Sequence, residues 1–228
     1  MIGVLMVGAI INYLTRSTLS VAAPTILADL QISPEQYSWI VGAFQGAIML
    51  QPFCGYVLDV VGLKVGFAIF ATAWSFISMS HGLAHSWPAF AALRALLGLA
   101  EGSANPAGMK ATSVWFPARE RAFAGGFFNI GASVGSMLAP PLVAWAIVAA
   151  NWQFAFVLTG AIGLIWVVIW LAVYHEPATH PRTRGGPAQP GAARGVRETL
   201  SVTVIGRTKT AHRAGARARR GTAPFASR

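Results

Sequence analysis

Three ionisable side chains lie inside long apolar stretches, where a lipid bilayer would surround them: Arg16, Arg94 and Glu101. A charge at the centre of a bilayer costs about 3 kcal/mol or more, so such residues normally face a bundle interior or a water-filled cavity. Arg94 and Glu101 are seven residues apart, on one helix face and about 10 Å apart along the axis. We interpret the three as marking a pathway for a polar solute or a proton. A static buried pair that fixes helix packing is the alternative.

The composition predicts a membrane protein. Of the 228 residues, 55% are hydrophobic, which is too many for an ordinary soluble domain. No Asp, Glu, Lys or Arg occurs between Lys64 and Arg94 or from Ala122 to His175, and such runs can hold several spans of about 20 residues. The sequence has no metal-ligand cluster, no G-x-S-x-G motif and no phosphate-binding loop, so we expect neither an enzyme nor a bound metal or cofactor.

Six transmembrane helices are predicted, which makes the expected fold class an all-α membrane protein. They lie at residues 1–24, 36–57, 65–84, 88–112, 122–148 and 152–174. The second and fourth loops carry the basic residues, and the other three carry none. The positive-inside rule therefore places those two loops and both termini in the cytoplasm. His81 and His85 fall in the external third loop, where we expect them to be solvated.

Polar and small residues recur at helical spacing in three of the predicted helices. These stripes should line a polar cavity, whereas the apolar sixth helix should face lipid. Close helix packing is the favoured interpretation of Gly98, Gly131 and Gly135. The stripe residues are Asn12, Arg16 and Ser20 in the first helix, Arg94, Gly98, Glu101, Asn105 and Gly108 in the fourth, and Gly125, Asn129, Ser133, Ser136 and Pro140 in the fifth.

The net charge of +10 belongs entirely to the C-terminal segment. Residues 1–176 contain six basic and six acidic residues, whereas residues 177–228 contain eleven basic residues and one Glu. The composition of this segment, rich in Arg, Ala, Gly and Pro, cannot build a core. We therefore predict two regions, a helical bundle at 1–176 and a disordered basic tail at 177–228. The tail has the composition that out-of-frame reading of a GC-rich gene would produce. Its charge gives no reason to expect that the bundle binds nucleic acid.

The second loop contains a recognisable motif. Gly55, Asp59, Gly62 and Lys64 fit the pattern G-x-x-x-D-x-x-G-x-K/R. Glycine permits a tight turn, and an Asp at a helix end can accept from helix amides or pair with a basic residue and so latch neighbouring helices. Between the second and third spans, this gating-loop pattern resembles the major facilitator superfamily. Its members have two six-helix halves, so the resemblance implies that residues 1–180 form an N-terminal half.

The segments around the charged residues resemble one branch of that superfamily, the anion:cation symporters. The resemblance lies in "NYLTRSTLSVAAPT", "RALLGLAEGSANPAGMKA" and "WFPARERAFAGGFFNIGASVGSMLAPP". The pieces "YLTR", "QPFCGYVLDVVG" and "APPLVAWAIV" are most similar to hexuronate permeases of the bacterial inner membrane. These permeases import galacturonate and glucuronate together with protons, so the resemblance implies no cofactor beyond a proton gradient.

The resemblance also implies roles for individual residues. Arg16 and Arg94 would contact the substrate carboxylate, which the guanidinium fork binds through two hydrogen bonds. Glu101 would couple proton movement to transport, and Tyr13 and Asn129 would hydrogen-bond the sugar hydroxyls. Many symporters of this branch have Asp at the position of Thr15, so Glu101 is the only carboxylate well inside the membrane. The implied partners are a sugar-acid anion, the bilayer, and either a second half or another copy of the chain.

Two alternatives stay open. The same arginines would serve another organic anion, such as an aldonate, a glucarate or an aromatic carboxylate. A half-length chain could instead be a membrane remnant or an interaction protein that transports nothing, because alternating access by rocking needs two halves.

Overall fold

A computed structural model describes residues 2–175, and this part of the chain is built from eight α-helices. A 3₁₀ turn, His81–Leu83, follows the fourth helix. The predicted tail at 177–228 lies outside the described residues. The helices are α1 Ile2–Asp29, α2 Pro34–Ile48, α3 Gln51–Val61, α4 Leu63–Ser80, α5 Trp87–Glu101, α6 Ala104–Trp115, α7 Arg121–Ala149 and α8 Trp152–Val173.

The six predicted spans are all present as helical regions, but two of them are broken. The second consists of α2 and α3, which meet at a bend of 42°. The fourth consists of α5 and α6, separated by Gly102 and Ser103. By length and hydropathy, α1, α4 with its 3₁₀ turn, α7 and α8 can each cross a membrane, and the bent α2–α3 pair can serve as a fifth span. The prediction of continuous second and fourth helices was therefore wrong.

Each break lies within the four residues before a proline. Pro52 and Pro106 have no N–H to donate to the carbonyl four residues earlier, and the ring clashes with that carbonyl. Those carbonyls belong to Ile48, the last residue of α2, and to Gly102, which directly follows α5. The two breaks adjoin in space, because a Cβ added to Gly102 would lie 3.5 Å from the Cα of Gln51.

Three helix pairs pack most extensively: α1 with α7, α2 with α5, and α4 with α8. Glycines bring these backbones into contact. A Cβ on Gly98 would lie 2.5 Å from the Phe44 carbonyl oxygen, and one on Gly131 would lie 2.6 Å from the Met6 carbonyl oxygen. Gly135 similarly abuts the backbone of Ile10. The close-packing interpretation of Gly98, Gly131 and Gly135 is confirmed.

Aromatic side chains fill the contact between α4 and α8. Phe67 meets the rings of Trp74, Trp166 and Trp170 edge-on, at centroid distances of 5.7, 5.4 and 5.2 Å. Such edge-to-face pairs add about 0.5–1.5 kcal/mol each beyond the area they bury. The opposite side of α8 is exposed, with Val168 68% accessible, so this helix packs with one face and leaves the other for lipid.

His81 is fully buried, so the expectation that it is solvated was wrong. The 3₁₀ turn directs its ring between α5 and α8, where it stacks on Phe156 at 5.1 Å and meets Phe90 edge-on at 5.7 Å. Its Nδ1 lies 2.8 Å from the carbonyl oxygen of Ile77. His85 is exposed.

We expect Gly98→Ala to destabilise the bundle. The added methyl would collide with the Phe44 carbonyl, which is part of a helix backbone and cannot rotate away, and overpacking of this kind costs about 1–3 kcal/mol. Thermal unfolding of the purified chain in detergent should show a Tm lower by about 5 °C. Gly42→Ala on α2 is the matched control, because a Cβ there meets nothing within 4 Å. Equal melting of both variants would contradict the close α2–α5 contact.

Candidate functional site

The charged residues of α1 and α5 lie together inside the bundle. Arg16 Nε donates to Glu101 Oε2 over 3.4 Å. The side chain of Glu101 is fully buried and that of Arg16 is 26% exposed. Charge-assisted hydrogen bonds of this type are usually about 2.7–2.9 Å long. The Arg16–Glu101 contact is therefore loose, and it forms where α5 ends, since Glu101 is the last residue of that helix.

Arg94 is buried with part of its hydrogen-bonding capacity unused. Only 2% of the residue is exposed, and among the described residues no acceptor reaches its Nε or Nη2. Glu101 Oε1 and Asn12 Nδ2 are likewise buried without a partner in the described part of the chain. A buried polar atom left without a partner costs about 1–3 kcal/mol. Four such atoms on α1 and α5 indicate a site for a polar ligand or for water rather than a closed structural ion pair.

Aromatic rings cover both guanidinium groups. The Cζ of Arg16 lies 4.9 Å from the ring centre of Tyr13 and 5.2 Å from that of Phe44. The Cζ of Arg94 lies 5.6 Å from the same Phe44 ring. These distances fall within the range of cation–π attraction. Sequence reasoning missed Phe44, because a phenylalanine in an apolar helix looks the same whether it faces lipid or an arginine.

Tyr13 and Asn129, the predicted hydroxyl-binding residues, line one cavity. It has a volume of about 690 Å³ and lies between α1, α3, α6 and α7, within the size range of small-molecule sites. Its other polar lining residues are Gln51, Asn105, Thr112, Ser113 and Arg121. Asn129 is exposed and donates from Nδ2 to the Gly125 carbonyl over 3.1 Å. Tyr13 connects this cavity to the charged cluster, since its ring also faces Arg16.

The gating-loop motif joins α3, α4 and α6. Gly62, between α3 and α4, has φ +92°, a conformation that favours glycine. Gly55 faces Pro106 of α6, whose Cβ would lie 3.5 Å from a Cβ added there. Asp59 accepts from Lys110 Nζ over 2.7 Å, and the same Nζ donates to the Leu58 carbonyl, also over 2.7 Å.

Lys64, the basic residue of the motif, is not the partner of Asp59 in this structure. The partner is Lys110, because the contact at Gly55 and Pro106 places α6 alongside the C-terminal end of α3. The backbone carbonyl of Lys64 instead accepts from Trp170 Nε1 over 3.0 Å. The motif itself could not reveal the Asp59–Lys110 pair, since the two residues are 51 positions apart.

Comparison with known proteins decides the family. A family model described as "Major Facilitator Superfamily" matches residues 5–221. The chain belongs to the major facilitator superfamily. It is 49% identical over 178 residues to a galacturonate transporter of Dickeya chrysanthemi, a match that covers 78% of this chain and 52% of the relative. It is 48% identical over 178 residues to a hexuronate transporter of Escherichia coli K12, covering 78% and 41%.

The chain spans about half the length of the curated relatives it matches. A solved structure also has this fold, the crystal structure of a bacterial homologue of the human lysosomal transporter Spinster in an inward-facing, occupied conformation. It superposes with a TM-score of 0.65 at 19% identity, over 77% of this chain and 44% of that one. The expected family and all-α fold are thus confirmed, and the chain is a multi-pass membrane protein. Its relatives are transporters and not enzymes, as expected.

The match to the family model extends to residue 221, well into the segment predicted to be an out-of-frame tail. The matches to the two transporters cover only 178 residues. The division into a bundle at 1–176 and a tail at 177–228 stays a prediction.

We expect Asp59 and Lys110 to be energetically coupled. A double-mutant cycle with Asp59→Asn and Lys110→Gln, measured by unfolding of the purified chain, should give about 0.5–1 kcal/mol for this partly exposed pair. The cycle removes the separate contribution of the Lys110 bond to Leu58. The control is the same cycle with Lys64→Gln, which should give a coupling near zero. Stronger coupling of Asp59 to Lys64 than to Lys110 would overturn the assignment.

Proposed function

We propose that this chain forms the N-terminal half of a proton-coupled importer of hexuronates in the bacterial inner membrane, with both termini in the cytoplasm. The observation that carries the proposal is the buried guanidinium of Arg94, whose donor nitrogens Nε and Nη2 have no acceptor among residues 2–175, beside a loosely paired Arg16 and Glu101. The 48–49% identity to proteins named hexuronate and galacturonate transporters supports the choice of substrate.

The carboxylate of the sugar acid would bind to Arg94. Its unpartnered Nε and Nη2 lie on the same edge of the guanidinium plane, which is the edge that can hold both oxygens of one carboxylate. Binding there would satisfy two buried donors at once, so the anion would be favoured over water, which offers one acceptor atom. Tyr13 and Asn129 would then hydrogen-bond hydroxyls of a sugar ring that extends into the 690 Å³ cavity.

Glu101 would carry the proton. When Glu101 is ionised, Arg16 is held against its Oε2. Protonation of Glu101 would weaken this attraction and free the Arg16 guanidinium to turn towards the substrate carboxylate. The proton would remain on Glu101 while the anion is bound, and both would leave on the cytoplasmic side. The exposed fraction of Arg16 supports this exchange, because a partly solvated side chain can move more readily than the buried Arg94.

A second six-helix half would have to close the site, since superfamily transporters hold substrate between their two halves. That half would come from a longer protein, from a separate chain or from a second copy of this one. The cavity that contains Asn129 also reaches Ser113 and Arg121, near the basic fourth loop. Under the proposed orientation, this cavity would open to the cytoplasm.

Removal of the Arg94 guanidinium should strongly reduce transport. Labelled galacturonate uptake would be measured in cells that lack their own hexuronate transporters, under an imposed proton gradient. The chain would be expressed alone and also as a chimera, in which its residues 1–178 replace the matching segment of the Escherichia coli hexuronate transporter. Arg94→Ala should reduce uptake about 100-fold, because it leaves a desolvated anion unpaired. Uptake by the Arg94→Lys variant should lie between that of the unmodified protein and that of Arg94→Ala, because lysine keeps the charge but cannot form two parallel hydrogen bonds to a carboxylate.

Arg119→Ala is the control for this experiment, because Arg119 is exposed in the fourth loop. Uptake by the chain alone would show that it assembles into a working transporter, and uptake by the chimera only would show that it needs a second half. A chimera that reaches the membrane and is inert, or one that is unaffected by Arg94→Ala, would contradict the proposal. Competition by galactonate, glucarate and an aromatic carboxylate would separate the alternative substrates.

Glu101→Gln should uncouple transport from the proton gradient. The amide keeps the shape of a protonated carboxyl but can neither bind nor release a proton. In vesicles, exchange of labelled for unlabelled galacturonate should therefore continue, whereas accumulation driven by the proton gradient should stop. Glu120→Gln, in the exposed fourth loop, should leave both intact. Gradient-driven accumulation by the Glu101→Gln variant would show that another group carries the proton.

A further inference from the structure

One aromatic ring is shared by two arginines that come from different helices. Arg16 lies on α1 and Arg94 on α5, yet both Cζ atoms lie over the ring of Phe44 on α2, at 5.2 and 5.6 Å from its centre. Guanidinium groups within about 6 Å of a ring centre are attracted to its negative face. Phe44 is thus a common contact of both positive charges in the cluster.

The backbone that carries this buried ring packs directly against α5. Phe44 is 6% exposed, and its own carbonyl oxygen would lie 2.5 Å from a Cβ on Gly98. The backbones of α2 and α5 therefore touch at Phe44. Gly98 follows Arg94 by four residues, about one helical turn. The backbone of Phe44 therefore cannot shift away from α5, the helix that carries Arg94, unless α2 and α5 separate.

The ring stabilises two buried positive charges without occupying the hydrogen-bond donors of Arg94. Two guanidinium groups share one buried carboxylate, that of Glu101, whose Oε2 contacts Arg16. A second carboxylate beside Arg94 would neutralise it, but would also occupy the Nε and Nη2 donors. The face of Phe44 attracts a cation and offers no hydrogen-bond acceptor in the plane of the guanidinium. Arg94 can therefore be buried while both donors stay available.

We infer that Phe44 is a positioning residue that holds the guanidinium groups of Arg16 and Arg94 at a fixed separation, with the donors of Arg94 free to receive one carboxylate. The inference deepens the proposed function and rests on it for the identity of the anion. The contact of the Phe44 ring with the two arginines can be tested without knowing which anion binds.

The decisive experiment changes the electronics of the ring at nearly constant shape. Phenylalanine, 3,5-difluorophenylalanine and 3,4,5-trifluorophenylalanine would be placed at position 44 of the full chain, and galacturonate affinity measured in detergent by calorimetry. Fluorination weakens the negative face, so affinity should fall stepwise, to about tenfold weaker for the trifluoro ring, with an unchanged Tm. The same residues at Phe53, which is 68% exposed, are the matched control and should have no effect.

A second readout follows the arginines themselves. In the chain labelled with ¹⁵N-arginine, the Nε–Hε resonances of Arg16 and Arg94 would be assigned with Arg16→Lys and Arg94→Lys. Phe44→Leu should shift both resonances and Phe44→Tyr, which keeps an aromatic face, should restore them. If Phe44→Leu does not fold, the fluorinated series provides the same comparison through the same two resonances.

The outcomes separate the two proposals. Galacturonate binding that is equally tight across the fluorinated series would overturn the role of Phe44 and leave the proposed function standing. Absence of galacturonate binding both by the unmodified chain and by the chimera that supplies a second half, together with arginine resonances that shift stepwise with fluorination, would support the role of Phe44 and count against a hexuronate as the ligand. If the Nε–Hε chemical shifts of Arg16 and Arg94 stay the same whichever ring is at position 44, the inference is overturned, whatever the chain binds.

Discussion

The bundle depends on how it accommodates charge in a region without solvent. An ionised side chain in the bilayer must be paired, hydrogen-bonded or placed against polarisable groups. Arg16 and Glu101 meet one another, but only over 3.4 Å, and Arg94 has a ring in place of an anion. These contacts stabilise the buried charges, but they leave donor atoms of Arg94 without an acceptor. A polar ligand could bind to those atoms. The donors without an acceptor distinguish this cluster from a structural ion pair, in which every donor would be hydrogen-bonded.

The helix breaks give the cluster its position. Pro106 ends α5 at Glu101, and Pro52 ends α2 at Ile48, so the charged groups lie on one side of both breaks. On the other side, α3 is joined to α6 by the Asp59–Lys110 pair. The Cys54 thiol of α3 also donates to the Leu99 carbonyl of α5 over 3.3 Å. Backbone groups freed at such breaks are tolerated in membranes only inside protein or beside a cavity. The two breaks lie next to one another, so each places protein beside the backbone groups that the other leaves free.

The sequence predicted what carries a large energetic signal. A charge in an apolar run is so costly that Arg16, Arg94 and Glu101 were identified directly as candidates, and hydropathy located the six helical regions. The rest depends on tertiary packing. Nothing local distinguishes Phe44 from a lipid-facing ring, or assigns Lys110 to Asp59 across 51 positions. Proline alone does not predict a break either, because α1 and α7 continue through Pro24, Pro140 and Pro141. His81 was misjudged because a 3₁₀ turn redirected its ring inwards.

Charge conservation in the cluster suggests why anion and proton would travel together. Two arginines and one ionised glutamate carry a net charge of +1. Binding a monoanion alone would bring the cluster to zero, with Arg16 drawn to two carboxylates at once. Binding a proton alone would bring it to +2, with the positive charges of Arg16 and Arg94 both beside Phe44 and no anion between them. Binding both returns the cluster to +1, so the electrostatic cost of burial is similar in the empty and loaded states. Under the proposed function, the loaded cluster would therefore carry the same charge as the empty one, and this balance requires no carboxylate at Thr15.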